Sequence, residues 1–247
     1  MPPVSLLFHD VFVHDPRESG FASPAADRYK LSIGAFDAQV AGLAENRSEP
    51  FVMTFDDGGV AFFTIAADRL ERLGLRGFCF VTTGCIGQRG FLDAAQLREL
   101  DARGHVIGTH SVSHAFPFSG LTGVEMRREW ADSRRTLEDL LGHAVTTGSV
   151  PGGYFSRDVA LSAAESGLLL LFNSEPVRSL QSVDGCTVAG RFAIRGGAPG
   201  DLSYRLVRPA PWTRTREWAS WNAKGLVKPL LGSSYPRVAD WIQGGVR

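Results

Sequence analysis

The chain of 247 residues has little cysteine, no net charge and no long apolar run. Its three cysteines, Cys79, Cys85 and Cys186, are an odd number without paired spacing, which argues against a disulfide framework and favours a reducing, cytoplasmic setting. Its longest apolar stretches, such as residues 167–172, are far too short to span a bilayer, and the N-terminal residues do not resemble a signal peptide. Basic and acidic residues balance at 26 each, so nothing global indicates nucleic-acid binding.

The charge is uneven along the chain. From residue 201 onward there are eight basic and three acidic residues, so this segment carries +5 and residues 1–200 carry −5. The same segment holds four of the five tryptophans: Trp212, Trp218, Trp221 and Trp241. We expect one domain over residues 1–200 and a basic, Trp-rich C-terminal extension over 201–247 that packs on it. Cover of the active site and peripheral membrane contact are the alternative roles of the extension.

Candidate strands and helices alternate. Asp93, Thr122 and Ser156 are placed to cap three of the helices, and Glu125 completes a capping box with Thr122. Strands are predicted over 4–13, 51–55, 76–84, 105–110, 146–154, 168–173 and 187–194, and helices over 33–46, 61–75, 93–104, 122–142 and 156–167. This alternation predicts βαβ units and a parallel sheet or barrel, with any chemistry at the C-terminal ends of its strands.

Two of these strands run into polar residues that suit a cation. The strand 51–55 ends in Asp56 and Asp57, two neighbouring carboxylates that need a compensating charge if they are buried. His110 and His114 follow the strand 105–110, and on a helix or helical turn this spacing places them on one face. Two imidazoles and one carboxylate are a common catalytic zinc arrangement. The alternatives are an ordinary Asp-Gly turn and a polar loop with two unrelated histidines.

A third stretch, residues 149–156, combines a bend with close backbone approach. Pro151 fixes the bend, and Gly152 and Gly153 let the backbone come near a ligand. A backbone N–H in this turn is in place to face a developing oxyanion, although a plain loop would have the same composition.

Together the three stretches resemble a known family, the NodB-type polysaccharide deacetylases of carbohydrate esterase family 4. The resemblance is carried by T-F-D-D-G at 54–58, H-S-V-S-H at 110–114 and the Pro-Gly turn at 151–154, with F-H-D-V at 8–11 as the opening strand. It covers roughly residues 4–200. It implies an irregular (β/α)7-type barrel with the C-terminal extension outside the family core.

The activity that the resemblance implies is removal of an N-acetyl group from an amino sugar of a surface polysaccharide or its lipid-linked precursor. It implies one divalent metal, Zn²⁺ foremost, with Co²⁺, Mn²⁺ and Ni²⁺ as alternatives. The alternative functions are hydrolysis of an O-acetyl ester or another non-peptide amide, and sugar binding by a catalytically impaired protein.

By the same resemblance, Asp57, His110 and His114 bind the metal and Asp56 is the general base. In an extended chain, successive side chains point in opposite directions, which would let Asp57 reach the cation while Asp56 faces the attacking water. Ser111 is a candidate for orienting the loop, as is Ser113.

The third motif is expected to contact the substrate. Pro151, Gly152 and Gly153 are assigned to substrate binding together with Arg195, and Tyr154 to catalysis, because the backbone N–H of Gly153 or Tyr154 would stabilise an oxyanion.

The sequence departs from the family pattern at two places. The first is the arginine that often tethers the base, which is missing from its usual place ahead of Pro151; Arg157 is nearby but equally typical of a surface. The second is a late histidine that serves as general acid, since no histidine follows His143.

Two early histidines are candidates for the missing acid. His9, within the first strand, is favoured over His14, with a packed or solvent-facing histidine as the alternative. Arg191 and Arg195 lie where the late strand should end. An arginine stays charged and cannot donate a proton, but it can stabilise negative charge or bind an anionic substrate.

Overall fold

The computed structural model describes residues 1–44, 49–209 and 211–231, without the side chains of 224–231. Strands and helices alternate over most of this length. The strands are β1 Val4–Phe8, β2 Val11–Phe12, β3 Leu31–Ser32, β4 Phe51–Phe55, β5 Gly77–Val81, β6 Val106–Thr109, β7 Thr147–Ser149, β8 Leu170–Phe172, β9 Leu180–Val183, β10 Cys186–Ala189 and β11 Phe192–Ala193. The helices are α1 Pro24–Asp27, α2 Ile33–Ala41, α3 Ala67–Arg72, α4 Ala94–Ala102, α5 Gly123–Leu141, α6 Arg157–Glu165, α7 Leu202–Val207 and α8 Pro211–Leu231.

Nine of the strands form one sheet in the order β11-β1-β4-β5-β6-β7-β8-β10-β9. All its pairings are parallel except that of β9 with β10. Parallel pairing brings the C-terminal ends of the strands to one edge, which we call the mouth: the edge where β1, β4, β5, β6 and β7 end. The predicted irregular α/β barrel is confirmed.

The curvature of the sheet follows from the link between β10 and β11. β11 is the first strand of this order and β10 is the last but one, yet only Gly190 and Arg191 separate them. Three residue steps span at most about 11 Å, so the two ends of the sheet must approach each other. The sheet therefore curls into a barrel, although no ladder joins β11 to β9 among the residues described.

Apolar side chains fill both faces of the curled sheet. The largest cluster contains alternate residues of β1 and β4, such as Leu6 and Phe55, and the inner face of α2. A second cluster joins α5 and α6 to β8, β10 and Val150, the residue after β7, around the fully buried Trp130. A small third cluster of Phe80, Phe172 and Ala189 lies on the other face of the sheet. These layers hold the strand ends, and so the mouth, in place.

The helix boundaries follow their predicted caps. Asp93 and Thr122 each form a complete capping box, with Gln96 and Glu125 as the reciprocal partners. Ser156 accepts a hydrogen bond from the first turn of α6. Each such cap stabilises its helix by about 1 kcal/mol.

Four predicted elements are wrong in extent. The strand predicted over 4–13 is two strands, β1 and β2, and β2 pairs with β3 in a separate two-stranded sheet. The helix predicted over 33–46 ends at Ala41, and the one predicted over 61–75 begins as a π-helical turn, Phe62–Ala66, before α3. The strand predicted over 187–194 is two strands. At the break a Cβ on Gly190 would lie 2.3 Å from the Glu175 carbonyl oxygen, so the chain turns there and β11 pairs with β1 instead.

The segment after residue 200 contains two helices with different surroundings. Side chains of α7, including Leu206 and Val207, belong to the largest apolar cluster, so the predicted boundary at residue 200 precedes a helix packed in the barrel core. Helix α8 is attached through Arg214, whose Nη2 lies 3.1 Å from Glu49 Oε2. Residues 232–247, with Trp241, lie outside the described part.

Arg178 also donates to Glu49 Oε2, at 2.5 Å. Because Glu49 precedes β4, this ion-paired group lies at the edge opposite the mouth.

Within the described residues, we find no helix with the length and apolar character needed to cross a bilayer.

Candidate active site

Three predicted ligands converge at the mouth. Asp57 follows β4, and its Oδ1 lies 3.4 Å from His110 Nε2 and 3.5 Å from His114 Nε2. All three ligand atoms lie within 4.8 Å of one another. Tetrahedral ligands, each about 2.1 Å from a zinc ion, are about 3.4 Å apart. The donor set and its spacing therefore fit one divalent cation.

The protonation states of two of the three groups suit a cation directly. Burial lowers the pKa of the third, His110, but the charges of Asp56 and Asp57 raise it overall, so a metal that binds there would displace the Nε2 proton. Burial raises the pKa of the Asp57 carboxyl, but the hydrogen bond from His110 and the nearby histidine charges hold it well below its usual range. Burial and then the charge of His110 lower the pKa of His114 to about 4. At neutral pH, Asp57 is ionised and His114 is neutral, which are the forms that bind a metal.

The local backbone differs from both predicted conformations. Residues 110–114 form a loop rather than a helical turn, with Ser111 at φ 67° and His114 at φ 54°. Asp57 is not extended either, since its φ is 77°. The predicted alternation of side chains is therefore wrong for Asp56 and Asp57. The left-handed backbone conformation of Asp57 sets the two side chains apart instead. Such conformations in non-glycine residues cost free energy and often occur at functional sites.

Other side chains hold these strained segments. The Ser111 hydroxyl accepts a hydrogen bond from the His114 N–H at 3.1 Å, in line with the predicted orienting role. Glu129 of α5 accepts bonds from the Val112 and Ser113 N–H groups and from the Ser113 hydroxyl, all within 2.9 Å. Glu129 was not predicted, and an acidic residue within a surface helix has no sequence signal that would single it out.

The turn formed by Asp57, Gly58 and Gly59 packs directly against the Asp10 carboxylate. A Cβ on Gly59 would lie 2.0 Å from Asp10 Oδ2, so only glycine fits above this carboxylate. Asp10 Oδ1 accepts a bond from the Ser19 hydroxyl at 2.8 Å. Burial raises the pKa of the Asp10 carboxyl to about 7. Asp10 is therefore a positioning group for the turn that carries Asp57.

Asp56, the predicted base, is held by an arginine from a distant segment. Arg191 Nη1 donates to Asp56 Oδ1 at 2.7 Å, and Nη2 donates to Oδ2 at 2.9 Å. The Ser149 hydroxyl donates to the same Oδ2 at 3.0 Å and accepts from Arg191 Nη2 at 2.8 Å. Arg191 is fully buried, whereas Arg157 is exposed. Arg191 thus occupies the tethering place that the third motif leaves vacant.

This pairing sets the charge of the base. Burial alone raises the pKa of the Asp56 carboxyl, but the charge of Arg191, then that of His110, and the bonds from the guanidinium hold it below its ordinary value. Arg191 is held in turn by the Asn173 carbonyl oxygen and the Thr54 hydroxyl. Asp56 is therefore an ionised, oriented carboxylate at neutral pH.

His110 connects the cation site to this arrangement. Its Nδ1 lies 2.9 Å from the Ser149 carbonyl oxygen, which accepts, so Nδ1 carries the proton and Nε2 faces Asp57. Fixing one ring nitrogen in this way orients the other toward a metal.

His9 lies near Asp56 and Asp57, and His14 does not. The electrostatic influence of Asp57 and Asp56 reaches His9, and burial lowers the pKa of its imidazole below the ordinary value. His9 Nδ1 is buried and finds no hydrogen-bond partner in the part of the chain that the structure describes. Its ring packs on Tyr29, 4.7 Å between centroids. His14 is exposed on the following loop.

Arg195 reaches the same corner through Tyr29. Its guanidinium carbon lies 4.8 Å from the Tyr29 ring centroid, on the ring that contacts His9. This contact places Arg195 near the mouth, and its substrate-binding role stays a prediction.

The third motif forms a short 3₁₀ turn, Pro151–Gly153. The Gly153 N–H donates to the Val150 carbonyl oxygen at 3.1 Å, so the predicted oxyanion contact through Gly153 is wrong for this conformation. The N–H of Tyr154 stays the predicted oxyanion donor. Pro151 is buried, and Gly152 adopts φ 61°.

Comparisons with known proteins agree with this geometry. Residues 44–171 match the family model described as "Polysaccharide deacetylase". Over 125 residues the chain is 26% identical to Bacillus subtilis YxkH, a protein named for the same family. Over 124 residues it is 32% identical to a gellan lyase of a Bacillus species. These matches cover 51% and 50% of this chain but only 44% and 5% of those proteins, so the chain spans less than half of either relative.

Solved structures share the fold. The Streptococcus pyogenes deacetylase PplD, solved with acetate, superposes with a TM-score of 0.72 at 18% identity, over 85% of this chain and 99% of that one. Bacillus cereus BC0361, a polysaccharide deacetylase, superposes with a TM-score of 0.71 at 16% identity, over 84% of this chain and 69% of that one. IcaB of Ammonifex degensii superposes with a TM-score of 0.63 at 17% identity, over 88% of this chain and 97% of that one. The chain belongs to the polysaccharide deacetylase family, whose members are hydrolases that act on acetyl amide or ester groups.

Proposed function

We propose that the protein is a divalent-metal-dependent hydrolase that removes the N-acetyl group from an amino sugar of a surface polysaccharide or its lipid-linked precursor. The observation that carries this proposal is the convergence of Asp57, His110 and His114 beside the arginine-held carboxylate of Asp56. The metal we propose is Zn²⁺, with Co²⁺, Mn²⁺ and Ni²⁺ as alternatives that suit the same donors.

Each group has a distinct role in the proposed reaction. When bound, the cation polarises the acetyl carbonyl and lowers the pKa of the attacking water. Asp56 accepts a proton from that water as its oxygen bonds to the carbonyl carbon. Arg191 and Ser149 keep Asp56 ionised and aimed until then. The Tyr154 N–H is proposed to donate to the developing oxyanion.

The second half of the reaction breaks the C–N bond, and the leaving nitrogen must gain a proton. His9 is neutral at neutral pH because burial lowers its pKa. We therefore assign it the relay role: it passes the proton held by Asp56 to the departing amine, and acetate and the free amino sugar are the products. Arg195, near His9, is proposed to bind the substrate.

Metal analysis and turnover test the proposal together. The purified protein should hold about one equivalent of zinc, and a His110→Ala, His114→Ala double variant should lose both the metal and at least roughly 10³-fold in activity. Release of acetate from N-acetylated hexosamine oligomers is the activity readout. A protein that takes up neither Zn²⁺ nor Co²⁺ would contradict the assignment and favour a sugar-binding role.

An O-acetyl ester is the second candidate substrate. The observation that favours it is that no histidine follows His143, because an alkoxide leaves with less need of a proton donor than an amine does. A His9→Gln variant separates the two cases. If the amide is the substrate, the variant should lose more activity on N-acetyl than on O-acetyl sugars; equal losses would contradict the relay role.

We also propose peripheral membrane contact through α8. Trp212, Trp218 and Trp221 expose 84%, 46% and 38% of their surfaces, in a segment rich in basic residues. Such a combination suits an anionic headgroup layer. The protein should co-sediment with phosphatidylglycerol vesicles but not with phosphatidylcholine vesicles, and replacing the three tryptophans with alanine should abolish this. A cytoplasmic location stays a prediction.

A further inference from the structure

Phe116 is a large apolar side chain left in solvent beside the candidate site. It follows His114 by two residues and exposes 67% of its surface. A neighbouring phenylalanine, Phe118, is fully buried against Trp130, 4.6 Å between ring centroids. Packing therefore accounts for Phe118 and not for Phe116. An exposed aromatic ring next to a cluster of polar functional groups can serve as a contact surface for a ligand.

The third motif holds the Phe116 ring in place. Its centroid lies 4.8 Å from that of Tyr154, with the ring planes at 83°. A Cβ on Gly152 would lie 2.8 Å from the Phe116 ring, so the glycine makes room for it. The ring is thus positioned before any ligand arrives, which reduces the entropy lost on binding.

Aromatic rings adjoin the ligand cluster at a second point. The Phe21 ring lies 4.9 Å from that of His114 and 5.0 Å from that of Phe91. Phe21 and Phe91 are partly buried, unlike Phe116. Phe21 therefore packs against a ligand ring of the candidate site, whereas Phe116 leaves most of its surface exposed.

We propose that Phe116 is a stacking platform for the sugar residue next to the one that loses its acetyl group. This inference rests on the proposed function and adds a specificity: the protein binds a chain of sugars more tightly than a single sugar. The apolar C–H face of a pyranose ring matches the flat face of a phenyl ring. The reacting sugar lies at the ligand cluster, and its neighbour in the chain contacts Phe116.

The test measures binding without turnover. Titration calorimetry on zinc-loaded Asp56→Asn protein gives the Kd for N-acetylglucosamine and for its β-1,4-linked di-, tri- and tetrasaccharides. The tetrasaccharide should bind more tightly than the monosaccharide. Adding Phe116→Ala should weaken tetrasaccharide binding about three- to tenfold and leave monosaccharide binding unchanged. Phe116→Trp should keep the tight binding.

Leu169→Ala is the matched control, because Leu169 exposes 59% of its surface just ahead of β8, at the edge opposite the mouth. It should change no Kd. Equal losses for mono- and tetrasaccharide in Phe116→Ala, an unchanged tetrasaccharide Kd, or no gain with chain length would each overturn the platform. The proposed function is judged separately, by metal content and by acetate release from wild-type protein.

Discussion

The candidate site has two sides that are built differently. The metal side comprises Asp57, His110 and His114, which lie in two short loops directly after β4 and β6. The base side comprises Asp56, Ser149 and Arg191, in which the bonds to Asp56 join residues 93 and 135 positions apart. The ligands of the metal side lie within short sequence motifs. The residues of the base side come from distant segments and meet only when the sheet curls.

Besides the peptide bond between Asp56 and Asp57, Ser149 of the base side connects the two sides. The Ser149 carbonyl oxygen accepts a bond from His110 on the metal side, while its hydroxyl bonds to Asp56 on the base side. Metal binding and base positioning should therefore be separable by substitution.

Asp56→Asn should break the base side alone. The amide cannot accept the proton, so kcat should fall by about 10²–10⁴-fold while the zinc content stays at one equivalent. Elemental analysis and acetate release measure the two quantities on the same sample. Loss of the metal together with activity would show that the sides are not separate.

Arg191→Met should shift the pH dependence. Without the guanidinium, burial raises the pKa of Asp56, and the base is active only when ionised. The acid limb of kcat/KM should therefore move to higher pH by roughly 1–3 pH units, because a neighbouring arginine lowers a carboxyl pKa by that amount.

The same substitution leaves a buried carboxylate unpaired. The free energy of unfolding should fall by about 3–5 kcal/mol, measured by urea denaturation. Arg157→Met is the control, since Arg157 is exposed. It should alter neither the acid limb of kcat/KM nor the free energy of unfolding. An unmoved acid limb in Arg191→Met would mean that Asp56 is not the titrating base.

Glu129→Gln should weaken the metal side without altering the base. The Gln oxygen can still accept from the Val112 and Ser113 N–H groups, which share one Glu129 oxygen, but the hydrogen bonds lose their charge assistance, so the loop before His114 is held less firmly. Zinc affinity, measured by competition with a chelator, should fall about 10–100-fold. Asp139→Asn, at an exposed position on the same helix, should leave it unchanged. An unchanged zinc affinity in Glu129→Gln would show that Glu129 does not support metal binding.

Ser149→Ala should give the smallest effect and the finest separation. It removes the hydroxyl that bonds Asp56 but keeps the carbonyl that accepts from His110. One lost hydrogen bond to a charged group is worth about 1.5–3 kcal/mol, so kcat should fall roughly 10- to 100-fold with unchanged zinc affinity. A parallel loss of zinc affinity would show that the hydroxyl also supports the metal side.

The metal side was predictable from sequence because residue type and position carry it. Asp57 and His110 each follow a short apolar strand, and parallel strands end at one edge. What the sequence did not reveal was the local conformation: left-handed residues at Asp57, Ser111 and His114 replace the predicted extended chain and helical turn. Those conformations depend on partners such as Asp10 and Glu129, which lie elsewhere in the chain.

The base side was not predictable in the same way. Residues 187–194 read as one strand because their apolar residues are continuous, and a strand interior offers no reason to bury an arginine. Only the crossing from β10, near one end of the sheet, to β11 at the other end brings Arg191 next to Asp56. The missing arginine ahead of Pro151 was a signal that another group had to serve, but not which one.

The ion-paired group of Arg178, Glu49 and Arg214 has a consequence for how the protein meets large substrates. It ties the first turns of α8 to the edge opposite the mouth. If the first turns of α8 rest on a bilayer, the catalytic opening points away from the lipid, toward sugars of a polymer or precursor that extend outward from the headgroups. Immobilising the protein through α8 would for the same reason leave its opening accessible.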